Sequence, residues 1–447
     1  MMEENIAAIA TAAGKGGVAI VRVSGKSALA LAEKMFLPSG KTPVSSFSPY
    51  RMYPGTIDAG NFTDYGLCVY FKGPNSYTGE DIVEFHCHGG ESIARGILKQ
   101  TFRLGARSAG RGEFTKRAFL NGKLSLSSAE GIADMINGES EAEVKAGYLL
   151  YSEKLTKKAK DLQDRLKTLL AGVEVSVDYP EEDIEEQHIE ALSADLKTLV
   201  ADLKAITSGY AVGKKIKLGV TVAICGKPNT GKSSLLNRLL GYEKAIVSSV
   251  AGTTRDAVEG SIELGGVKFN LYDTAGVRES GDRIESIGIE KAEAIVKACD
   301  VAVFVADYAR GVDEEDARVL ELVKDKPLIK VFNKVDLTSD DTDTDADVHT
   351  SAVTGEGIER LKTLLCEKGL GERSEDAAFL IEERHYAALT RATELLQGAI
   401  LACERYDPLD FISIEVQAAW EALGEITGET ASEAVVEEIF MKFCVGK

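Results

Sequence analysis

The chain has 447 residues, of which 44% are hydrophobic and 28% charged, and its formal net charge is −19. This length exceeds what one hydrophobic core usually supports, so we expect several domains. The negative charge argues against broad, sequence-independent binding of nucleic acid, although it allows a local basic patch.

The chain shows no sign of a membrane or export segment. No apolar run approaches the roughly 18 residues of a membrane-spanning helix, and we expect no membrane span. The acidic start "MMEENIAAIA" lacks the cationic region of a secretory signal. Seven scattered cysteines predict reduced thiols and a cytoplasmic protein rather than a disulfide framework.

The first half of the chain contains two regions of different composition. Up to about residue 120, glycine-rich turns alternate with short β-prone runs such as "GGVAIVRVSG", which predicts a mixed α/β domain. The next region, from about residue 125 to 207, has apolar residues at helical spacing. These residues are Leu155, Leu162, Leu166, Leu169, Leu170, Leu192, Leu196, Leu199, Val200 and Leu203.

The second half begins with strand–loop–helix alternation between Lys217 and about Gly371. Its strand-like runs "VTVAIC", "VAVFVA" and "LIKVFN" are typical of a parallel α/β sheet. Helical spacing of apolar residues returns after Gly371. Because neither helical block is expected to bury its apolar stripe alone, we predict one helical domain interrupted by an inserted α/β domain.

The segment from Gly226 to Ser233, "GKPNTGKS", matches the phosphate-binding motif G-x-x-x-x-G-K-[ST] at every fixed position. It lies between a predicted strand and a predicted helix, as the motif requires. We expect backbone N–H groups to surround phosphate oxygens, Lys232 to contact the β- and γ-phosphates, and the Ser233 hydroxyl to bind Mg²⁺. The amide oxygen of Asn229 can hold a monovalent cation against the phosphates.

Further GTPase motifs follow in the expected order. "AGTTRD" offers Thr254 as a second Mg²⁺ ligand. "DTAG" offers Asp273 toward the metal and the Gly276 N–H toward the γ-phosphate. Together with the phosphate-binding loop, these motifs predict a GTPase domain.

Guanine selection is predicted from "NKVD". The carboxylate of Asp336 can accept hydrogen bonds from guanine N1–H and the exocyclic amine, which adenine cannot provide. Asn333 and Lys334 are expected to brace the base, and "SAVTGEG" from Ser351 to supply a backbone N–H near guanine O6.

The residue after "DTAG" is Val277, where many GTPases of this type have a glutamine that orients the attacking water. A valine cannot do so, and the residues nearby leave three candidates: Arg278, Glu279 and Glu285. Arg278 has a structural or partner-binding role as its alternative, and Glu285 has that of a solvated carboxylate. No arginine finger is evident, which favours a cation near Asn229 as the source of positive charge.

Two other motifs have ordinary explanations beside functional ones. His86 and His88 in "FHCHGG" would share one face of a strand, but two ligands do not complete a zinc site, so we expect a structural or pocket-lining role. The run "KLTKKAK" from Lys154 is interpreted as a solvated helix face, with contact to tRNA or a partner as the alternative.

The whole chain resembles the MnmE (TrmE) family of bacterial tRNA-modification GTPases. The similarity includes "GPNSYTGEDIVEFHCHGG", "GEFTKRAFLNGKLSL", "GKPNTGKSSLLN", "AIVSSVAGTTRD", "DTAGVRES" and the terminal "FCVGK". "TGEDIVE", "RAFLNGKLSL" and "FCVGK" are not general GTPase motifs, so they make the match specific.

This resemblance implies a domain plan. Residues 1–121 are expected to form a folate-binding and dimerisation domain, 122–215 and 373–447 the two parts of a helical domain, and 216–372 an inserted Ras-like P-loop G domain. It also implies a homodimer that forms a heterotetramer with a flavoprotein, MnmG (GidA).

The resemblance implies a function as well. The family is a K⁺-stimulated GTPase that uses 5-formyl- or 5,10-methylene-tetrahydrofolate with its partner. It adds an aminomethyl or carboxymethylaminomethyl group at C5 of the tRNA wobble uridine.

Site residues follow by position in the matching motifs. Glu285 corresponds to the water-positioning catalytic residue and Lys232 to the phosphate-binding lysine. The expected K⁺ ligands are Asn229, Ser248, Val250 and Thr253, and the expected Mg²⁺ ligands are Ser233 and Thr254. The expected folate-binding residues are Arg22, Glu84, Lys123 and Lys447. The expected GTP-binding residues are Asn229, Thr230, Gly231, Lys232, Ser233, Ser234, Ser248, Thr253, Thr254, Asp273, Thr274, Ala275, Gly276, Asn333, Lys334, Asp336, Ser351, Ala352 and Val353.

Two positions of the resemblance leave alternatives open. Cys444 corresponds to the cysteine of the family's C-terminal motif, as a catalytic thiol in the one-carbon step or as a small core or interface residue. The chain has "AGRGEF" where relatives tend to have A-R-P-G-E-F, which puts a folate role of Arg111 in doubt. The alternative function is a regulatory GTP switch in ribosome or RNA assembly, without modification chemistry of its own.

Overall fold

The computed structural model describes residues 4–178, 185–242, 260–274, 294–337, 345–371 and 381–447. It divides the chain into two compact units. One contains Met1–Ala133, Leu150–Glu186 and Tyr406–Lys447, and the other contains Asp134–Leu149 and Gln187–Arg405.

Helices occur in both units and account for most of the described residues outside the two sheets. Their bounds are α1 Ala28–Met35, α2 Glu91–Arg103, α3 Glu113–Leu120, α4 Leu126–Asn137, α5 Glu141–Tyr151, α6 Lys154–Asp178, α7 Glu185–Thr207, α8 Tyr210–Leu218, α9 Lys232–Tyr242, α10 Glu314–Leu322, α11 Ile358–Leu370, α12 Glu383–Glu404, α13 Leu409–Thr427 and α14 Glu433–Met441.

A seven-stranded sheet forms the centre of the first unit. Its strands are β1 Ile6–Ile9, β2 Val18–Ser24, β3 Phe36–Pro38, β4 Met52–Asp58, β5 Thr63–Phe71, β6 Ile82–His88 and β7 Arg107–Ser108. The strand order is β3-β4-β5-β6-β2-β1-β7. Strands β2 and β6 are antiparallel neighbours that place Arg22 directly opposite Glu84.

One face of this sheet forms a core with α1 and α2. Alternate residues of β2, such as Val21 and Val23, are buried, and they pack with buried residues of the helices such as Leu31 and Ile97. The period of two follows from the pleat, which leaves Arg22 and Ile20 on the opposite face.

Helix α6 packs against α13 in the same unit. Leu155, Leu162 and Leu166 are buried, and the Gln163 side-chain amide donates to the Trp420 carbonyl at 3.2 Å. After α14, Val445 forms an isolated antiparallel bridge with Arg111, which lies between β7 and α3. The C-terminal segment is therefore part of the N-terminal unit.

A six-stranded sheet forms the centre of the second unit. Its strands are β8 Val220–Cys225, β9 Gly260–Leu264, β10 Val267–Asp273, β11 Val301–Asp307, β12 Leu328–Asn333 and β13 Val348–Thr350, in the order β13-β12-β11-β8-β10-β9. All pairs are parallel except the β9–β10 hairpin. Every residue of β11 is buried, because helices cover both faces of a parallel sheet.

The predicted fold class is confirmed: two α/β regions and helical segments that are interrupted by the inserted P-loop domain. The predicted stripe of α7 is buried at Leu192, Leu196, Leu199 and Leu203. Within the second unit α7 is joined to α12 by an ion pair between Lys197 and Glu404 at 3.0 Å. The exact domain boundaries stay a prediction. Among the described residues, no helix is long and apolar enough to cross a membrane.

Candidate functional site

The loop between β8 and α9, which is the predicted phosphate-binding loop, closes on itself. Lys232 is buried, and its Nζ donates to the Lys227 carbonyl at 2.6 Å. The Thr230 hydroxyl donates to the same carbonyl at 3.0 Å. Gly226 begins the loop with φ +139°, and a Cβ there would lie 2.2 Å from the Val305 carbonyl oxygen, so only glycine fits.

A metal-compatible pair of oxygen groups lies at the start of α9. The Ser233 hydroxyl donates to Asp273 Oδ2 at 2.7 Å, because β8 and β10 are parallel neighbours that end side by side. Thr274 follows with its N–H and hydroxyl both directed to the Ile224 carbonyl, at 3.1 and 3.0 Å. Mg²⁺ prefers oxygen ligands such as hydroxyl and carboxylate groups, so Ser233 and Asp273 fit this ion.

Asn333 connects the predicted phosphate-binding loop to the loop after β13, which is predicted to bind guanine. It is buried at the end of β12, and its amide donates to the Thr230 carbonyl at 3.0 Å. Its oxygen accepts from the Thr350 hydroxyl and the Ala352 N–H, each at 3.2 Å. The asparagine of "NKVD" therefore holds two loops of the site together.

Lys334 forms a second connection between these loops. Its Nζ donates to the Asn229 carbonyl at 2.6 Å and pairs with Asp307 at 2.8 Å. Lys334 and Asn229 both have left-handed backbone, with φ of 71° and 64°. Asp307 is a buried residue at the end of β11 that sequence reasoning missed, although the end of a parallel strand is where such groups gather.

The predicted guanine-binding carboxylate is exposed at the edge of the site. Asp336 Oδ1 accepts from the buried Ser351 hydroxyl at 2.5 Å, which fixes one oxygen. Ser351 Oγ in turn accepts from the Thr354 N–H at 3.1 Å. Val353 in the same loop is 77% exposed, and Ser234 after the phosphate-binding loop is exposed too. The arrangement leaves a carboxylate held in place with a side open to a ligand.

Several predicted nucleotide-site residues lie outside the described residues. They are Ser248, Val250, Thr253, Thr254, Ala275, Gly276 and Glu285, together with Val277, Arg278 and Glu279.

A second polar cluster lies on the open face of the N-terminal sheet. Arg22 Nε donates to Glu84 Oε1 at 2.7 Å. The guanidinium carbon is 5.9 Å from the centroid of the Tyr77 ring and 5.6 Å from that of Phe114, both within cation–π range. Arg22 Nη1 also reaches the Gly446 carbonyl at 3.5 Å. Two of the four predicted folate residues, Arg22 and Glu84, thus pair with each other, and Arg22 also contacts the C-terminal segment.

His86 lies next to this cluster. From the sequence we predicted only a structural or pocket-lining role for it. Its Nε2 lies 3.1 Å from Glu84 Oε2. Burial raises the pKa of Glu84, but the hydrogen bond from His86 and the interactions with Arg22 outweigh it, so the pKa lies below its usual value. Glu84 is therefore an ionised acceptor at neutral pH.

The other two predicted folate residues lie at the margin of the cluster. Lys123 is exposed and lies close to Gly79, in the loop that contains Tyr77. A Cβ added to Gly79 would be 3.4 Å from the Lys123 Cγ. Lys447 is half-buried and follows Gly446 directly. Gly446 lies so close to β1 that a Cβ added to it would be 2.3 Å from the Ile9 carbonyl oxygen. The close approach of Gly446 to β1 explains how a residue so late in the chain reaches this unit.

The C-terminal cysteine, Cys444, is exposed, whereas Phe440 and Phe443 before it are buried. The rings of Phe440 and Phe443 stack with centroids 5.8 Å apart, and both are buried. The Cys444 carbonyl accepts from the Gly112 N–H at 3.4 Å, next to the Arg111–Val445 bridge. Arg111 thus has a backbone role in holding the C-terminal segment.

A buried arginine supports the cluster from behind and was missed in the sequence. Arg117 is 1% exposed; it pairs with Glu80 at 2.8 Å and with Glu113 at 3.2 Å. Glu80 also accepts from the Ser24 hydroxyl at 2.9 Å. These contacts connect α3, which contains Phe114, to the loop that contains Tyr77.

The histidines of "FHCHGG" do not form a metal centre with their neighbours. His86 lies beside Glu84, whereas His88 Nδ1 pairs with Asp64 at 2.6 Å and Cys87 points into the core. Across the described ranges, no group of three or more potential metal ligands comes together.

Comparison with known proteins places both regions in one family. Residues 5–123 match the model "GTP-binding protein TrmE N-terminus", and residues 126–444 match the "MnmE helical domain". Proteins named tRNA modification GTPase MnmE from Alkaliphilus metalliredigens, Clostridioides difficile and Moorella thermoacetica are 38%, 38% and 40% identical. Each alignment covers 100% of this chain and 100% of the relative. The chain is therefore a GTP hydrolase that belongs to the MnmE family of tRNA modification GTPases.

Proposed function

We propose that this GTPase, working with a flavoprotein of the MnmG type, uses the one-carbon unit of a tetrahydrofolate to modify tRNA. The product would be an aminomethyl or carboxymethylaminomethyl group at C5 of the wobble uridine. The names of the relatives support the tRNA substrate. The observation that best supports the folate step is the Arg22–Glu84 pair beside two aromatic rings.

The nucleotide half of the proposal rests on the described loops. Lys232 contributes a positive charge at the phosphates, Ser233 and Asp273 supply oxygen ligands for Mg²⁺, and Asp336 accepts the guanine N–H groups. When bound, Mg²⁺ offsets the charge that develops on the β- and γ-phosphate oxygens. Thr254 and Glu285 complete this proposal as second metal ligand and water-positioning residue.

We further propose that K⁺ replaces an arginine finger. Asn229 is exposed in the phosphate-binding loop, and its backbone is fixed by the bond from Lys334 to its carbonyl. An exposed side-chain amide on a fixed backbone supports the role of cation ligand that we propose for Asn229. Ser248, Val250 and Thr253 are the other proposed ligands.

The N-terminal cluster has the groups that a reduced folate requires. Glu84 is ionised and hydrogen-bonded, so its carboxylate can accept from the amino and N–H edge of a pterin. Tyr77 and Phe114 offer aromatic faces, and Lys123 and Lys447 supply cations suited to the carboxylates of the glutamate tail. The bound folate supplies the one-carbon unit, in the 5-formyl or 5,10-methylene form.

Partners and location follow from the same proposal. A net charge of −19 does not favour binding of tRNA by this chain alone. We therefore propose that tRNA is bound by a heterotetramer, formed by a homodimer of this chain and the flavoprotein. The cysteines form no disulfide within the described residues, which is consistent with a reducing cytoplasm. Cys444 is exposed beside the cluster and stays a candidate thiol for the one-carbon step.

Titration calorimetry with 5-formyl-tetrahydrofolate tests this function. We expect the full-length protein to bind, and Arg22→Ala and Glu84→Ala each to weaken binding at least tenfold. Glu91→Ala serves as a matched control, because Glu91 is an exposed residue of α2 in the same unit. No binding by the unmodified protein, with GTP hydrolysis retained, would instead favour a regulatory GTP switch in RNA or ribosome assembly.

A further inference from the structure

The β9–β10 hairpin is attached to the corner between α4 and α5 by three polar contacts. The Ala142 N–H donates to the Gly266 carbonyl at 2.8 Å. The Glu141 N–H donates to the Glu263 carboxylate at 3.3 Å, and Lys268 pairs with Glu139 at 2.5 Å. We call these three contacts the hairpin contact; all its residues belong to the second unit and lie outside the GTPase motifs.

The corner that receives the hairpin is itself fixed. The Glu143 N–H donates to the Ser140 hydroxyl at 3.3 Å, and that hydroxyl donates to Glu143 Oε1 at 3.2 Å. The second oxygen of Glu143 accepts from the Glu139 N–H at 2.8 Å. This local network satisfies the Glu143 N–H at the start of α5, and the Glu141 and Ala142 N–H groups that remain there bond to the hairpin.

The hairpin leads directly to the metal-compatible pair of the nucleotide site. Strand β10 begins beside Gly266 and ends at Asp273, which accepts from Ser233. Seven residues at about 3.3 Å each span roughly 20 Å. Midway, Asn270 accepts from the Ser261 hydroxyl at 2.8 Å and donates to the Leu218 carbonyl at 2.9 Å. The hairpin contact and the metal-compatible pair therefore lie at the two ends of one continuous, hydrogen-bonded strand.

The hairpin contact is partly open to solvent. The side chains of Lys268 and Glu139 are 20% and 30% exposed. A cleft of about 580 Å³ lies alongside, lined by Met135, Val144 and Tyr148 among others. Contacts of this kind can break and form again without unfolding the core, because water replaces the lost partners.

We propose that the hairpin contact is a positioning device for GTP hydrolysis, with Glu139 and Lys268 as its positioning residues. By fixing the start of β10, the pair determines where the Asp273 carboxylate lies relative to Ser233 and Lys232. A residue outside the GTPase motifs therefore influences the rate of hydrolysis. The inference depends on GTP hydrolysis alone and not on the proposed folate or K⁺ sites.

Charge reversal in the full-length protein tests the proposal. Glu139→Lys and Lys268→Glu each separate the pair by repulsion, and the double variant restores an ion pair with exchanged charges. Steady-state GTP hydrolysis at saturating Mg²⁺ gives kcat and KM for each protein, and thermal unfolding reports whether it is folded. Lys324→Met is the matched control, since it breaks an exposed ion pair with Glu321 at the end of α10 in the same unit.

The expected result is a kcat at least threefold lower in each single variant, with KM within threefold of the unmodified protein. The double variant should recover at least half of the lost kcat, and Lys324→Met should retain full activity. A smaller fall in kcat, a change confined to KM, or no recovery in the double variant would overturn the proposal. A loss of folded protein would also lower kcat and recover in the double variant, so the kcat values are compared only at temperatures where thermal unfolding shows every variant to be fully folded.

Discussion

The hydroxyl of Ser233 donates to the carboxylate of Asp273 at 2.7 Å, and this bond joins the first turn of α9 to the last residue of β10. Asp273 is buried, so its carboxylate is almost completely shielded from bulk water. A buried carboxylate is stable there only with a compensating partner. Ser233 provides a hydrogen bond, and a divalent cation would provide the charge.

Replacing Asp273 by Asn should therefore reduce GTP hydrolysis strongly. The amide keeps the hydrogen-bonding shape but removes the negative charge that holds Mg²⁺, and we expect kcat to fall about 100-fold. Removal of Mg²⁺ by a chelator should then lower the rate of GTP hydrolysis far less in the variant than in the unmodified protein. Equal chelator sensitivity in the two proteins would contradict the metal role of Asp273.

Replacing Asp336 by Asn should change base selectivity. An amide offers one acceptor and one donor in place of two acceptors, so guanine loses one hydrogen bond while xanthine gains a partner for its extra carbonyl. Bidentate base contacts contribute about 1–3 kcal/mol to discrimination, so GTP affinity should fall roughly 10- to 100-fold and xanthosine triphosphate should become the better ligand. Fluorescent-nucleotide competition measures both, and unchanged GTP affinity would refute this role.

Replacing Gly226 by Ala should abolish nucleotide binding. The new Cβ would lie 2.2 Å from the Val305 carbonyl oxygen at a φ of +139°, so the phosphate-binding loop would have to move. Gly311→Ala is a matched control with φ +68° and open space around the added atom. That change should cost only about 1–2 kcal/mol of stability and leave GTP affinity intact. Similar GTP affinities for the two variants would argue against a tight loop at Gly226.

The carboxylate of Glu113 should make the free energy of unfolding depend on pH. Burial raises the pKa of Glu113, but the bonds from Arg107 and the Gly110 N–H, with the charge of Arg117, outweigh it and lower the pKa from 4.5 to about 2. A lowered folded-state pKa stabilises the protein fully above pH 4.5, and this stabilisation is lost as the pH falls toward 2.

Glu113→Gln should thus destabilise the N-terminal unit by at most about 3 kcal/mol at pH 7, and its difference from the unmodified protein should shrink between pH 4.5 and 2. Denaturant unfolding followed across this range measures the difference. Glu91→Gln, which breaks an exposed pair with Arg95, should show little effect at any pH. A constant difference for Glu113→Gln would contradict the pKa assignment.

Local patterns in the sequence predicted much of the fold. The stripe from Leu192 to Leu203 and the buried runs of β8, β11 and β12 were recognisable because helix and strand periodicities are short-range properties. The strand–loop–helix setting of the predicted phosphate-binding loop was equally recognisable, since Gly226, Gly231 and Lys232 lie within seven consecutive residues.

Contacts between distant segments could not be predicted in this way. Asp307 and Lys334 are 27 residues apart, and Arg117 and Glu80 are 37 apart. Neither pair has a spacing that a motif would reveal, because each depends on how strands and helices assemble. The attachment of Lys268 to Glu139, across 129 residues, is a still clearer example.

We propose that this GTPase uses an alkali cation where other GTPases use an arginine side chain. GTP turnover by the full-length protein in K⁺ and in Na⁺, for the unmodified chain and for Asn229→Ala, tests it most directly. We predict turnover at least tenfold faster in K⁺ and loss of that difference in Asn229→Ala. Equal rates for the unmodified protein in both salts would contradict the claim.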